Sequence, residues 1–176
     1  MTTRYLFAGF GGQGILFSGK LLAYKGLVEG KQVSWLPSYG PEMRGGTANC
    51  SVIISDDPIG APIVDEPDVL IAMNLPSLDR YEDAVVKGGK IYVDSSLIER
   101  KVERDDVEVI YIPATKIASE EGMEGLANMI IAGKIIEDNN EWDETTIADA
   151  LGHCISARHQ DKLAVNNQAL TRGKEF

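Results

Sequence analysis

The sequence predicts an α/β domain in three layers, with helices on both faces of a mostly parallel sheet. Short apolar runs of strand length alternate along the chain with segments whose apolar residues recur at helical spacing. A glycine-rich turn, GFGGQG at Gly9 to Gly14, lies between the first such strand and the first such helix. This strand, turn and helix order is how parallel sheets of this class commonly begin.

Local patterns define the elements of the first third of the chain. Tyr5–Ala8 is a short apolar run, and Glu29-Gly30 ends the helix that follows the glycines. The apolar residues at helical spacing in that helix are Ile15, Leu16, Leu21, Leu22, Leu27 and Val28. Gln32–Leu36 is predicted as a strand that stops at Pro37, and SYGPEMRGG as a loop, because Gly-Pro and Gly-Gly disfavour regular structure. Thr47–Ser55 alternates apolar and polar residues, which is typical of a half-covered strand.

The remaining elements follow the turn DDPIGAP. Strands are predicted at Asp68–Met73, Lys90–Asp94 and Val107–Ile112, with an amphipathic helix at Pro76–Val86 between the first two. Gly125–Ile136 is apolar nearly all round, which predicts a buried helix. Helices with weaker periodicity, Thr145–Ile155 and Asp161–Leu170, follow the acidic run EDNNEWDE. We therefore expect a single Rossmann-like domain over residues 1–176, with a C-terminal helical tail from about 141 to 176.

Composition excludes several classes of protein. The chain has 176 residues and a net charge of -10, from 17 Lys plus Arg against 27 Asp plus Glu, so it is a poor match for nucleic acid. Its two cysteines, Cys50 and Cys154, are far apart, which disfavours an iron–sulfur cluster or a cysteine-rich zinc site within this chain. No apolar run approaches a membrane span, and the N-terminus does not resemble a signal peptide, so we expect a cytoplasmic protein.

The glycine-rich turn leaves three interpretations open. Gly9, Gly11 and Gly14 have the G-x-G-x-x-G spacing of a dinucleotide site, in which backbone N–H groups and a helix N-terminus hold a phosphate. The second strand, however, ends in SWLPS without the acidic residue that would bind the ribose, and Gln13 adds a bulky amide to the turn. The glycines could instead serve turning and packing alone, or the turn could contact a different phosphate ligand or another protein chain.

Three further motifs carry a resemblance to a known family. The loop and strand SYGPEMRGGTANC, taken with GFGGQG upstream, and with I-A-M-N and A-N-M downstream, resembles the gamma subunit of 2-oxoacid:ferredoxin oxidoreductases. The resemblance is closest to the separate gamma chains of the 2-oxoglutarate and 2-ketoisovalerate enzymes, and it runs from about Tyr5 to Ile136. A subunit of an aryl-pyruvate enzyme is a related alternative, against which Glu42-Met43-Arg44 speaks.

The resemblance implies a role within a larger enzyme. Such enzymes decarboxylate a 2-oxoacid on thiamine diphosphate and Mg, pass electrons through iron–sulfur clusters to ferredoxin, and transfer the acyl group to coenzyme A. The chain has neither a G-D-G thiamine diphosphate signature nor C-x-x-C-x-x-C, so the resemblance implies that it holds no cofactor alone. Its partners would be alpha, beta and ferredoxin-like delta subunits. Its role would be assembly and one wall of the coenzyme A and substrate approach, with no catalytic residue of its own.

The candidate site residues each have a structural alternative. Arg44 could clamp a coenzyme A phosphate or a substrate carboxylate, or pair with Glu42 or a partner's acid. Asn74 lies where open α/β sheets bind ligands, but a helix N-cap is the better explanation. The candidate ligand-binding set is Gly9, Gly11, Gly12, Gln13, Gly14, Arg44 and Asn74. The candidate interface set is Tyr39, Pro41, Glu42, Met43, Gly45 and Gly46, since aromatic and apolar loop residues are enriched at interfaces.

Three other polar residues have simpler explanations. We expect Asn128 to make a core or interface hydrogen bond, Cys50 to behave as a small buried hydrophobe, and His153 and His159 to form no catalytic triad. The alternative function is a free-standing nucleotide-binding oxidoreductase or ligand sensor. The missing ribose acid favours the subunit instead.

Overall fold

A single six-stranded sheet forms the centre of the protein. The structure, a computed structural model, describes residues 1–40 and 46–176. The strands are β1 (Thr2–Phe10), β2 (Gln32–Tyr39), β3 (Thr47–Ser55), β4 (Val69–Ala72), β5 (Lys90–Asp94) and β6 (Glu108–Ile112). Their order across the sheet is β2-β3-β1-β4-β5-β6. Only β3 is antiparallel to its neighbours, β1 and β2, while β1, β4, β5 and β6 pair in parallel. The predicted mostly parallel sheet is therefore confirmed.

Helices cover both faces of this sheet. They are α1 (Ile15–Val28), α2 (Leu75–Tyr81), α3 (Ala114–Glu120), α4 (Ala127–Asp138), α5 (Glu144–Cys154) and α6 (Leu163–Lys174). Side chains alternate along β1, so Tyr5 and Phe7 enter the larger core with α1 and α4, while Leu6 enters the smaller core beneath α2. Two cores on opposite faces of one sheet confirm the three-layer prediction.

Two predicted boundaries and one missed helix are the main differences from the structure. The second strand continues past Pro37 to Tyr39. Because β2 is an outer strand, the nitrogen of Pro37, which carries no hydrogen, can face away from β3 without the loss of a hydrogen bond within the sheet. The helix predicted to reach Val86 ends at Tyr81 and is followed by a 3-10 turn, Glu82–Ala84. The third difference is α3, which the sequence did not predict; it is short, and its buried face is Ala114, Ile117 and Ala118.

The C-terminal helices pack against the core. α5 packs on α1, and α6 crosses α4 so closely that the two backbones touch at Gly133 and Gly173. A side chain at Gly133 would overlap the carbonyl oxygen of Leu170. The buried ammonium of Lys25 on α1 pairs with Glu29 at 2.5 Å and with Glu141, before α5, at 3.0 Å. The segment predicted as a tail is thus fixed to the domain by packing and by an ion pair.

Candidate functional site

The glycine-rich turn lies at a crevice between β1 and β4. The chain leaves β1 for α1 on one face of the sheet and leaves β4 for α2 on the other face. Two parallel neighbours whose helices leave to opposite faces form a topological switch point, and open α/β sheets bind ligands outside the carboxyl ends of strands at such points. Gly9 to Gly14 and Asn74 all belong to this edge.

The side chain of Gln13 closes part of the turn. Its Oε1 accepts a hydrogen bond from the Phe10 N–H at 2.6 Å, and its Nε2 donates to the Met73 carbonyl at 2.9 Å. The amide therefore joins the end of β1 to the end of β4 and occupies the space above Gly9, where a Cβ would lie 2.6 Å from Oε1. Because the Phe10 N–H already has this partner, it is not free to bind a phosphate.

The space beside Gly14 is filled by a side chain of α4, Asn128. Gly14 caps α1 in the left-handed conformation, with φ of 74°, and its carbonyl accepts a hydrogen bond from Asn128 Nδ2 at 3.0 Å. A Cβ at Gly14 would lie 2.5 Å from that nitrogen. The expected internal hydrogen bond of Asn128 is confirmed, although its Oδ1 finds no partner among the described residues. Gly14 thus serves contact with α4.

Gly11 and Gly12 complete the turn in different ways. The Gly11 N–H donates to the carbonyl of Gly46 at 2.8 Å, which ties the turn to the start of β3. Gly12 has φ of 102°, a conformation that suits glycine, and a Cβ there would meet no described atom within 4 Å. An outside group can therefore approach the backbone at Gly12.

Three cavities surround the turn. The strand-side cavity, about 370 Å³, lies between the turn, the start of α1 and the ends of β2 and β3, and includes Phe17 and Tyr39. The α3-side cavity, about 330 Å³, lies between the turn and α3 and includes Met73 and Thr115. Gly12 lines both. The tail-side cavity, about 360 Å³, lies below Gly14 and is lined partly by Asn128 and residues 154–166.

Two residues that sequence reasoning missed fix the α3 side of the crevice. Asp94, at the end of β5, is fully buried and accepts hydrogen bonds from Thr115 Oγ1 at 2.5 Å and from the Ser96 N–H at 3.1 Å. Thr115 lines the α3-side cavity, so the buried carboxylate orients a hydroxyl at its wall. The available signal was an acid directly after an apolar strand, followed by two serines.

Asn74 has the capping role that the sequence favoured. Its Oδ1 accepts a hydrogen bond from the Ser77 N–H at 2.9 Å at the start of α2. The side chain is 3% exposed, and its Nδ2 has no hydrogen-bond partner among the described residues. This cap sets the direction in which α2 leaves the crevice.

The loop residues of the candidate set are only partly described. Pro41, Glu42, Met43, Arg44 and Gly45 lie outside the described residues. Tyr39, at the end of β2, is 53% exposed beside the strand-side cavity, and Gly46 binds Gly11 through its carbonyl. The two ends of the loop therefore meet the glycine-rich turn.

The thiols are separate and protonated at neutral pH. Burial raises the pKa of Cys50 to about 12 and that of Cys154 to about 11. Across the described residues, no group of three His, Cys, Asp or Glu side chains could hold a metal ion. An iron–sulfur cluster, which requires several neighbouring thiolates, does not fit this chain.

Two features of the helices complete the description. His153 stacks on Tyr24 and lies 3.4 Å from Asp149, a carboxylate partner that the sequence did not suggest. Within residues 1–40 and 46–176, every helix is too short or too polar to cross a membrane.

Comparison with known proteins assigns the chain to a family. The model of the pyruvate ferredoxin/flavodoxin oxidoreductase family matches residues 4–176, so the similarity continues past Ile136 into the C-terminal helices. The ketoisovalerate oxidoreductase subunit VorA of Methanothermobacter thermautotrophicus is 45% identical over 174 residues, which cover 98% of this chain and 36% of VorA. The chain thus spans about a third of the length of the first curated relatives.

Solved structures show the same domain both alone and within a longer chain. The keto/oxoacid ferredoxin oxidoreductase gamma subunit of Geobacter sulfurreducens has a TM-score of 0.81 and 26% identity, covering 98% of this chain and 96% of that one. The 2-oxoglutarate:ferredoxin oxidoreductase of Magnetococcus marinus, with 2-oxoglutarate, coenzyme A and succinyl-CoA bound, has a TM-score of 0.86 and 25% identity, covering 99% of this chain and 30% of that one. The chain belongs to the pyruvate ferredoxin/flavodoxin oxidoreductase family.

Proposed function

We propose that this chain is the gamma subunit of a multisubunit 2-oxoacid:ferredoxin oxidoreductase. The enzyme would convert a 2-oxoacid and coenzyme A into an acyl-CoA and carbon dioxide, with the electrons passing to ferredoxin. The observation that carries the proposal is the match to a separate gamma subunit over nearly the whole of both chains. The names of the relatives support 2-oxoglutarate or 2-ketoisovalerate as the substrate.

The chain itself would be noncatalytic. Its two thiols are separate and shielded, so the iron–sulfur clusters would belong to other subunits, as would thiamine diphosphate and Mg. The alpha and beta subunits and a ferredoxin-like delta subunit are the proposed partners. What this chain contributes is a rigid surface at the carboxyl ends of β1 and β4, held by Gln13 and Asn128.

Coenzyme A would approach this surface at Gly12. An exposed backbone without a side chain, between two cavities, admits a ligand to close contact, and N–H groups in a turn favour anionic groups. Arg44 and Asn74 remain the proposed polar contacts. A free-standing dinucleotide-binding oxidoreductase gains no support, because Gln13 occupies the Phe10 N–H and β2 has no ribose-binding acid.

The assembly proposal is tested by purifying the tagged chain from its native cells without oxygen. We expect brown material that contains a thiamine diphosphate subunit and oxidises a 2-oxoacid in a coenzyme A-dependent reaction. Repeated isolation of a colourless single chain with a bound nucleotide would contradict the proposal.

The coenzyme A contact is tested by Arg44→Ala in the reconstituted complex. Loss of one charged contact should raise the KM for coenzyme A about tenfold and leave the KM for the 2-oxoacid unchanged. Arg80→Ala, on the exposed side of α2, is the matched control and should change neither value. Unchanged coenzyme A kinetics and intact assembly in Arg44→Ala would remove Arg44 from the site.

A further inference from the structure

The tail-side cavity lies where two long helices begin. Its wall includes Gly14, the N-cap of α1, together with Leu126 and Asn128 at the start of α4. In the part of the chain that the structure describes, no side chain caps either helix, and neither helix has an acidic residue in its first turn. By contrast, Asn74 caps α2 and Asp143 caps α5. The N-termini of α1 and α4 therefore bring partial positive charge to this wall with no side chain to offset it.

The other polar groups of the wall also favour a negatively charged ligand. The chain has 27 Asp plus Glu, yet the described residues that line this cavity include neither type, whereas Glu124 lines the α3-side cavity. His159 and Lys162 line the tail-side cavity and are exposed. Neither forms an ion pair with a described carboxylate. In a chain of net charge -10, a cavity with cations and no acid is a local site for an anion.

The backbone before α4 leaves room for a ligand to approach closely. Gly125 lines the cavity in the left-handed conformation, with φ of 82°, and a Cβ there would meet no described atom within 4 Å. A glycine directly before a helix N-terminus is how phosphate-binding turns bring oxygen atoms near the backbone N–H groups. The start of α4 has this arrangement without a motif that the sequence would reveal.

Asn128 adds an unsatisfied hydrogen-bond acceptor to the same wall. The residue is 4% exposed, and its Nδ2 donates to the Gly14 carbonyl, which fixes the orientation of the amide. Its Oδ1 has no hydrogen-bond partner among the described residues. Of the three cavities around the turn, the tail-side cavity is the one that Asn128 lines. A buried acceptor of this kind requires a donor, so a ligand that satisfies the wall carries a hydroxyl group as well as negative charge.

We propose that the tail-side cavity binds a small phosphate ester that carries a hydroxyl group beside its phosphate. Two helix N-termini with Lys162 and His159 suit a dianionic phosphate better than a singly charged carboxylate. The hydroxyl group donates to Asn128 Oδ1, and the carbon atoms of the ester pack on Phe17 and Ile155. The cavity, about 360 Å³, is of the size that holds small ligands. This inference does not depend on the proposed function.

Binding is tested on the full chain by isothermal titration with glycerol 3-phosphate. We expect saturable binding, and Lys162→Ala should raise the Kd about tenfold because it removes one charged contact to the phosphate. Lys87→Ala, which changes an exposed lysine before β5, is the matched control and should leave the Kd unchanged. An absence of saturable binding, or an equal change of Kd in the two variants, would overturn the proposal.

Propyl phosphate, which has no hydroxyl group, tests the role of Asn128. It should bind the unmodified chain about tenfold more weakly than glycerol 3-phosphate, because it leaves the Asn128 Oδ1 without a donor. The two esters should bind Asn128→Ala with equal affinity. If the unmodified chain and Asn128→Ala prefer glycerol 3-phosphate to the same extent, the assignment of a hydroxylated ligand is wrong.

Thiol alkylation locates the bound ester. Cys154 lines the tail-side cavity, whereas Cys50 is fully buried below Gly19. Saturating glycerol 3-phosphate should slow the alkylation of Cys154 several-fold and leave the rate at Cys50 unchanged. Binding that leaves the Cys154 rate unchanged, or that slows both thiols equally, would place the ester elsewhere and contradict the proposal.

Coenzyme A and dephospho-coenzyme A identify the source of the phosphate. The ribose of coenzyme A carries a phosphate beside a hydroxyl group, and dephospho-coenzyme A lacks that phosphate. Protection of Cys154 by coenzyme A but not by dephospho-coenzyme A would support the proposal with the coenzyme as the source. Protection by glycerol 3-phosphate alone would support it with a free ester as the source. Both outcomes are read on the isolated chain, so they remain separate from the test of subunit assembly.

Discussion

The glycine-rich turn and the α4–α6 crossing both depend on missing side chains, but they use the space differently. At the crossing, the carbonyl oxygens of Leu170 and Ile130 fill the space at Gly133 and Gly173. In the turn, side chains of the chain itself fill the space at Gly9 and Gly14, whereas Gly12 faces open space. Glycine spacing alone therefore does not identify a ligand site. What surrounds each glycine decides whether it serves packing or remains accessible.

The largest effect is expected at the helix crossing. Gly133→Ala should lower the free energy of unfolding by about 3 kcal/mol or more, since the new methyl group overlaps backbone that cannot move without separating the helices. Chemical denaturation measures this. Gly152→Ala, on α5 with no described atom within 4 Å, is the matched control and should raise stability by about 0.5–1 kcal/mol. Equal effects of the two substitutions would refute the filled-space interpretation of Gly133.

A smaller effect is expected at Gly14. Gly14→Ala should cost about 2 kcal/mol of stability, from the left-handed backbone and the displacement of Asn128. Gly12→Ala has the backbone cost without the overlap, so its effect should be about half as large. If the overlap matters, the double variant Gly14→Ala with Asn128→Ala should be more stable than the sum of the single effects allows. Strict additivity would show that overlap with Asn128 does not contribute to the cost of Gly14→Ala.

The side chain of Gln13 should contribute about 1–2 kcal/mol to the free energy of unfolding. Gln13→Ala removes both hydrogen bonds that join the ends of β1 and β4, whereas Gln13→Glu can still accept from the Phe10 N–H but cannot donate to the Met73 carbonyl as a carboxylate. Denaturation midpoints of the two variants separate the contributions of these two hydrogen bonds.

In the unmodified chain, NAD, NADP and FAD should cause no saturable thermal shift, and a saturable shift with any of them would restore the dinucleotide hypothesis.

Thiol labelling distinguishes a filled from an open environment without any change in the stability of the fold. The raised pKa of Cys154 should make its alkylation at pH 8 roughly a hundredfold slower than that of a free cysteine, and the rate should increase as pH rises toward about 11. Cys50, fully buried below Gly19, should react more slowly still. Loosening the α4–α6 crossing with Gly133→Ala should speed the labelling of Cys154 more than that of Cys50. Equal acceleration would indicate global unfolding rather than local opening.

Much of the candidate site was predictable from local patterns. The glycine-rich turn between a strand and a helix and the cap at Asn74 both depend on residues within a few positions of one another. The short helix α3 and the buried Asp94 were missed, because a brief helix and a single carboxylate give little periodic signal.

The sequence by itself determined the alternation of strands and helices, the layer count and the position of the turn, since periodicity and capping act between near neighbours. Only the tertiary structure decided that β3 lies between β1 and β2, and that Gly14 is occupied by Asn128, a residue 114 positions away. It also decided that Gly12 is left open. The sequence shows only that a glycine has no side chain. Whether the space beside it is filled or open depends on atoms from distant parts of the chain.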